Sequence, residues 1–372
     1  MNKRIMYITI FGILVLIITS IFFLYQPLFG LSPSGERLER MQKSPNYRDG
    51  KFHNISPSEV MASDKSRIEI MWDFLFGKVE GKRPDRALPT IKTNIKQLPI
   101  EEDVMIWLGH SALYLQMNGK RLLIDPTLIN SAPVSFINKA FKGTKIYSPD
   151  DFPDIDILLI SHDHYDHLDK KTVKKLKDKI GKVICPLGVG EHFEDWGFKE
   201  DSIEELYWNE NIVIDSTMII HCLPARHFSG RTLSQNNTLW ASFMLETPTR
   251  NIYYSGDSGY DTHFSDIGKQ FPKIDVAILE NGQFNIDWKS IHMMPDGLVQ
   301  AIKDLNPDRV LTVHNSKYAL SRHAWYLPLD NISEAAESNS FNLMTPMIGE
   351  TIYLNDSSQV FKKWWIDHKN KK

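Results

Sequence analysis

Six residues, His162-Asp163-His164-Tyr165-Asp166-His167, narrow the possible folds more than any other part of this sequence, because they follow directly on the apolar run Ile157-Leu158-Leu159-Ile160-Ser161. A buried strand that empties into such a loop can bring imidazoles and carboxylates within a few ångströms of one another. Those are the donors that a borderline cation such as zinc takes. His162 and His164 can serve one ion, and Asp166 and His167 a second. The plainer alternative is a solvated loop or an adventitious metal tract, but such tracts lie in low-complexity tails rather than behind an apolar strand.

The rest of the chain can build a large core around that strand. Of 372 residues, 42% are hydrophobic and 24% charged, which excludes wholesale disorder, collagen and coiled coil. Lys and Arg number 43 against 46 Asp and Glu, a formal charge of -3, so there is no global basic field and no nucleic-acid partner is expected. The two cysteines, Cys185 and Cys222, cannot form a disulfide-rich scaffold and lack the close spacing of a structural zinc module.

Residues 5–25 carry no charge over 21 positions, enough as a helix for roughly 31 Å, the thickness of a bilayer core. Tyr25-Gln26-Pro27-Leu28-Phe29 offers no small-residue cleavage site, so the stretch is expected to be a retained transmembrane signal anchor. Lys3 and Arg4 flank it, which predicts a single-pass protein of the cell membrane with a cytoplasmic N-terminus and an extracytoplasmic catalytic body. Cys185 and Cys222 could then oxidise if they lie close in space. Residues 26–98 are expected to be a leader packed on that body, with a helix running from the cap signal Ser56-Pro57-Ser58-Glu59 toward Phe76. Residues 99–364 read as one large domain. Its segments Leu113–Met117 and Lys120–Asp125 flank Asn118-Gly119 as a hairpin. A basic helix over Asp169–Ile180 is expected to close at Gly181, and further strands and helices alternate in an α/β manner.

With Trp107-Leu108-Gly109-His110-Ser111, Ile124-Asp125-Pro126, Pro224-Ala225-Arg226-His227, Tyr254-Ser255-Gly256-Asp257-Ser258-Gly259-Tyr260 and Val313-His314 in order around the histidine-rich run, the chain resembles the metallo-β-lactamase superfamily. The branch it resembles contains the phospholipases D that hydrolyse N-acylphosphatidylethanolamine. The resemblance spans roughly residues 99–330 and implies an αββα four-layer sandwich. It implies that His162, His164 and His227 hold a first divalent metal ion, that Asp166, His167 and His314 hold a second, and that Asp257 bridges them. Zn2+ is the expected ion, with Mn2+ as the alternative. His292, in Ile291-His292-Met293-Met294-Pro295-Asp296, falls where that family has a non-ligand histidine beside the substrate. His221 lies within a strand and is expected to be a core or surface histidine, while His110 has either an orienting role behind the ligands or a turn role.

The chemistry implied is hydrolysis without a protein nucleophile. Two ions share a hydroxide, which Asp166 and Asp257 orient, and His292 positions substrate or protonates the leaving alkoxide. Asp125 could accept from the outer nitrogen of a ligand imidazole. The branch that reduces oxygen at two irons carries a carboxylate where this chain has His164, so hydrolysis is favoured. The anchor places the site near lipid and suits a phospholipid phosphodiester, with Phe136, Ile137, Phe141, Trp288, Trp325 and Tyr326 as candidates for an acyl path. A lactonase or other carboxylic ester hydrolase using the same ions is the alternative. After His314 the chain reads Asn315-Ser316-Lys317-Tyr318 where the phospholipase has a Trp-Gly-Thr-Phe run, a departure that bears on the substrate rather than the metal.

Overall fold

A computed structural model of the chain describes residues 3–24, 31–133, 138–231 and 234–369. Helix α1 (Lys3–Leu24) comes first, followed by α2 (Gly35–Gln42), a small hairpin of β1 (Tyr47–Arg48) and β2 (Lys51–Phe52), and α3 (Arg67–Phe76). The next elements are β3 (Val104–Trp107), β4 (Leu113–Met117), β5 (Lys120–Ile124), β6 (Ile155–Leu159), α4 (Lys170–Leu176), β7 (Ile180–Pro186), α5 (Gly190–Asp195) and β8 (Ile203–Leu206). The second half holds β9 (Asn211–Asp215), β10 (Met218–Leu223), β11 (Ser242–Glu246), β12 (Asn251–Tyr254), α6 (His263–Gln270), β13 (Val276–Glu280), α7 (Pro295–Leu305), β14 (Arg309–Val313), α8 (Leu327–Asn339), β15 (Leu343–Met344) and β16 (Thr351–Tyr353).

Two seven-stranded sheets result, ordered β16-β3-β4-β5-β6-β7-β8 and β15-β14-β13-β12-β11-β10-β9. Both are mixed. In the first, β5 through β8 run parallel; in the second, β12 through β15 do. Strands buried on both faces have no reason to alternate polar and apolar residues, which explains the apolar runs Ile157-Leu158-Leu159 of β6 and Val276-Ala277-Ile278-Leu279 of β13. Leu159 and Ile278 enter a core between the sheets, together with Leu113, Leu115, Phe243 and Leu311. Their neighbours Leu158 and Leu279 point outward, Leu158 beneath Val173 of α4 and Phe193 of α5, Leu279 beneath Leu298 of α7 and Ile332 of α8. Each such buried side chain stabilises the fold by about 1.5–3 kcal/mol. The layers run helix, sheet, sheet, helix.

The hairpin forms as expected, with Asn118 at φ 51° and Gly119 at φ 71° in its two-residue turn. The basic helix forms too, α4 capped by Asp169 and continued by a 3-10 turn over Lys177–Lys179. Two expectations fail. The helix does not close at Gly181, which lies inside β7, where a Cβ would come within 3.0 Å of the Asp156 carbonyl oxygen. No helix begins at Ser56; α3 begins at Arg67, where Ser66 and Glu69 form a reciprocal cap. At the earlier signal Pro57 and Ser58 are bonded instead to Arg226, in a stretch without regular secondary structure.

The stretch between α1 and β3 is tied to the rest of the chain at several points. Arg37 of α2 donates to Glu205 at 2.6 Å and Glu191 at 2.7 Å and also meets Glu194, while Met41 and Phe52 enter the core between the sheets. Cys185 of β7 and Cys222 of β10 are buried free thiols in different sheets, and burial pushes the pKa of both upward.

The expected membrane span fares differently. Residues 3–24 do form a helix whose side chains at Ile5, Tyr7, Phe11 and Leu16 are exposed, but its described side chains stop at Thr19 and leave out Ile17, and Tyr25 falls outside the described residues. Over the described residues no helix is long and apolar enough to cross a membrane.

Candidate metal centre

Seven strands end at one edge of the sandwich, and each delivers a polar residue there: β3 leads to His110, β5 to Asp125, β6 to His162, β10 to His227, β12 to Asp257, β13 to Glu280 and β14 to His314. Carboxyl ends of strands are where α/β sheets bind ligands, because the chain must turn there and can present side chains without breaking the ladder. The turns are sharp. His110, Asp125 and His314 all take left-handed backbone conformations, at φ 56°, 42° and 65°. Before Asp257, Gly256 at φ 55° has no room for a Cβ, which would meet the Ala241 carbonyl oxygen at 2.8 Å and Ser161 at 2.9 Å.

Three imidazole nitrogens converge first. His162 Nε2 lies 2.8 Å from His164 Nδ1, and His227 Nε2 lies 3.2 Å from the same atom. One proton can bridge only one such pair, whereas a cation satisfies all three at once. Beside them, Asp166, His167 and His314 gather together with His110; the donor atoms of each set lie within 4.8 Å of one another. Asp257 sits between the sets. Its Oδ2 is 3.7 Å from His227 Nε2, 4.0 Å from His162 Nε2 and 3.1 Å from His167 Nε2, and its Oδ1 is 3.1 Å from His314 Nδ1. Among the described residues, His167 Nε2 and Asp257 Oδ1 are buried without a hydrogen-bond partner, a cost that a metal ion between them would remove. The donor set of imidazoles and carboxylates fits divalent ions of the zinc type.

Electrostatics point the same way. Burial, reinforced by neighbouring imidazoles, holds the pKa of His162 and His314 well below the ordinary value; burial does the same for His227. A neutral imidazole is the form that binds a cation. Burial alone would push Asp257 upward, but His167 and the surrounding rings hold it at about 2, so it stays a carboxylate. His167 is the exception: despite its burial, Asp257, Asp166 and Asp125 raise it well above the usual range.

Behind the donors lies a shell of orienting groups. Asp125 is fully buried and accepts from His167 Nδ1 at 2.7 Å, from the Ser161 amide at 2.8 Å and from the Tyr254 hydroxyl at 2.5 Å. This is the arrangement expected of it, and it fixes the His167 ring. His110 takes both roles considered for it, turning the chain and placing Nε2 2.8 Å from Asp166 Oδ2. Two groups in this shell were not anticipated. Ser111 Oγ lies 2.9 Å from His314 Nδ1, and the fully buried Glu280 accepts from His292 Nδ1 at 2.9 Å. Burial raises Glu280 to about 7 against the pull of His292, while Glu280 overcomes burial to lift His292 to about 9. Glu280 closes an apolar strand, and no local pattern separates it from an ordinary strand end.

A cleft of about 1100 Å³ opens onto this centre, bordered by His164, Asp166, Asp257, His292 and His314. Its apolar wall is made by Val60, Met61, Ile70, Phe228, Ile291 and Trp288. Among the described residues expected along an acyl path, Trp288 alone lines it. Phe141 and Trp325 are buried in the core between the sheets, Tyr326 packs against that core, and Phe136 and Ile137 lie outside the described residues. His221 pairs with Glu246 and joins none of the donor sets. The run after His314 is structural: Asn315 donates to the carbonyls of Asn281 and Val313. Lys317, which burial pushes down to about 7, donates to the carbonyls of Leu108 and Thr127.

Comparisons with known proteins agree with this geometry. Residues 120–315, just over half of the chain, match the family model described as the Beta-lactamase superfamily domain. An uncharacterized protein of Mycobacterium tuberculosis is 34% identical over 87% of this chain and 88% of its own length. The N-acyl-phosphatidylethanolamine-hydrolyzing phospholipase D 1 of Caenorhabditis elegans is 31% identical over 62% of this chain and 69% of its own. Among solved structures, a metallo hydrolase from the archaeon Ignicoccus hospitalis superposes with a TM-score of 0.51 over 67% of this chain and 97% of that one. At 18% identity that likeness speaks for the fold alone. Family match, fold and donor sets converge, and the chain belongs to the metallo-β-lactamase superfamily of metal-dependent hydrolases.

Proposed function

We propose that the chain is a dinuclear zinc hydrolase that cleaves a phosphodiester, with a phospholipid of the N-acylphosphatidylethanolamine type as its substrate. The observation that carries this reading is the position of Asp257, one oxygen toward His162, His227 and His167 and the other toward His314. His162, His164 and His227 would hold one ion, Asp166, His167 and His314 the other, with Asp257 shared; Mn2+ suits the same donors less well than Zn2+ because three of them are imidazoles on one side. Two such ions supply a Lewis-acid clamp for substrate oxygens and lower the pKa of water toward 7. The protein's own residues do the rest. Asp166, steadied by His110, and Asp257 orient the attacking water, and the apolar wall of the cleft excludes bulk solvent and receives acyl chains. Because His292 Nδ1 is engaged by Glu280, its Nε2 is the atom that would serve the leaving oxygen.

The phosphodiester is preferred over a lactone or other carboxylic ester for two reasons. The relative in Caenorhabditis elegans is named for hydrolysing N-acylphosphatidylethanolamine, and the cleft pairs an apolar wall with a polar floor. In this reading residues 5–25 tether the enzyme to the cell membrane with the N-terminus in the cytoplasm and the catalytic body outside, bringing the cleft to its lipid. The test is incubation of the zinc-loaded full chain with N-acylphosphatidylethanolamine and identification of the products by mass spectrometry. Phosphatidate and N-acylethanolamine are expected, and both should vanish after chelation. Two bound ions per chain without any cleavage would overturn the phospholipase reading, and cleavage of a lactone panel in its place would establish the alternative.

A further inference from the structure

We infer that Asn54, which lies outside the residues matched by the family model, is a positioning residue for His227, and that the strap it begins completes the metal centre. The inference rests on the ligand role proposed for His227. That residue stands after the end of β10 in a stretch without regular secondary structure, so no ladder partner satisfies its backbone. Asn54 supplies the missing partner. Its Nδ2 donates to the His227 carbonyl at 2.8 Å, and the His227 amide donates to Asn54 Oδ1 at 3.0 Å. The carboxamide thus imitates a paired strand across one residue. Trp240 Nε1 donates to the same Oδ1 at 3.0 Å, so a flipped amide would face two donors with its own NH2, and the orientation is fixed.

The ring of His227 is held independently. Its Nδ1 donates to the Ile291 carbonyl at 2.9 Å, which directs Nε2 toward His164 and Asp257. Backbone and ring together leave the imidazole one position. The next residue back, Arg226, staples the strap a second time, donating from Nε to Ser58 Oγ at 2.7 Å and from Nη2 to the Pro57 carbonyl at 3.2 Å. From there the strap continues as one wall of the cleft through Val60, Met61 and Ser63. Without Asn54 the His227 amide and carbonyl lose these partners, which favours displacement of His227. Outer partners of metal ligands are worth about 10–100-fold in metal affinity.

The test uses the metal-stripped full chain as wild type, Asn54→Ala and Asn54→Asp. Each is titrated with Co2+, followed by its visible absorption, and with Zn2+ against a chromophoric chelator. Wild type should bind two equivalents tightly. Asn54→Ala should bind one equivalent about 10–100-fold more weakly and the other unchanged. Asn54→Asp keeps the acceptor for His227 and Trp240 and should recover part of the loss. Wild-type affinity for both equivalents in a folded Asn54→Ala variant overturns the inference. So does an equal weakening of both, which marks general loosening of the fold. If the alanine variant does not fold, the aspartate variant decides: a shift confined to one equivalent upholds the inference, and no shift overturns it. A wild-type protein that takes up neither ion overturns the ligand reading itself, an outcome distinct from the others.

Discussion

Asp257 is approached by imidazoles from both donor sets, so exchanging it for alanine withdraws a proposed ligand from each. Asp257→Ala is expected to lose both ions and nearly all turnover, read as metal per chain by elemental analysis; unchanged metal content would exclude the shared position. Glu280 sits one bond further out. It touches His292 rather than any proposed ligand, and Glu280→Gln should therefore keep both ions while kcat falls about 100-fold with KM little changed. A parallel loss of metal would instead make Glu280 a support of the centre as a whole. These two residues also mark how far the sequence could be read. His162 to His167 are contiguous behind an apolar strand, so their convergence follows from local geometry alone. Glu280 ends a strand of ordinary composition, and Asn54 is 173 positions from the histidine it clamps, so neither carries a local signal.

Elements were legible where one local rule decided them. Asn118-Gly119 admits few backbones besides the tight hairpin turn, and the turn is there. The two cap signals, Ser56 to Glu59 and Ser66 to Glu69, look alike in sequence, but only the second starts a helix because the first segment is bonded to Arg226 by long-range contacts. Likewise Gly181 reads as a helix stop until the parallel pairing of β7 with β6 claims it. The small hairpin of β1 and β2 offers a test of how firmly the segment before β3 is held. Phe52 at its end is fully buried in the core between the sheets, beside residues from both halves of the chain. Phe52→Ala should cost about 3–5 kcal/mol, measured by urea unfolding of the metal-free protein. A loss below about 1 kcal/mol would mean that this segment folds and unfolds apart from the sandwich.

At the scale of the whole molecule, the proposed tether is the property easiest to separate from catalysis. The full chain is expected to float with liposomes and resist alkaline extraction, whereas a variant lacking residues 1–30 should remain in the aqueous layer. Equal behaviour of the two would remove the anchor from the proposal. A reporter active only outside the cytoplasm, fused after Lys372, should report the catalytic side. The first sheet ends at β16, the last strand among the described residues, which pairs with β3, while the amide of Gly349 donates to the Trp107 carbonyl at 2.7 Å. A ribosome therefore releases β3 long before its neighbour exists. Until residues 351–353 have been made, β3 itself is the edge of its sheet, next to the loop that presents His110, so a premature stop before residue 351 yields a product whose buried strand β3 lies unpaired on that side and open to association.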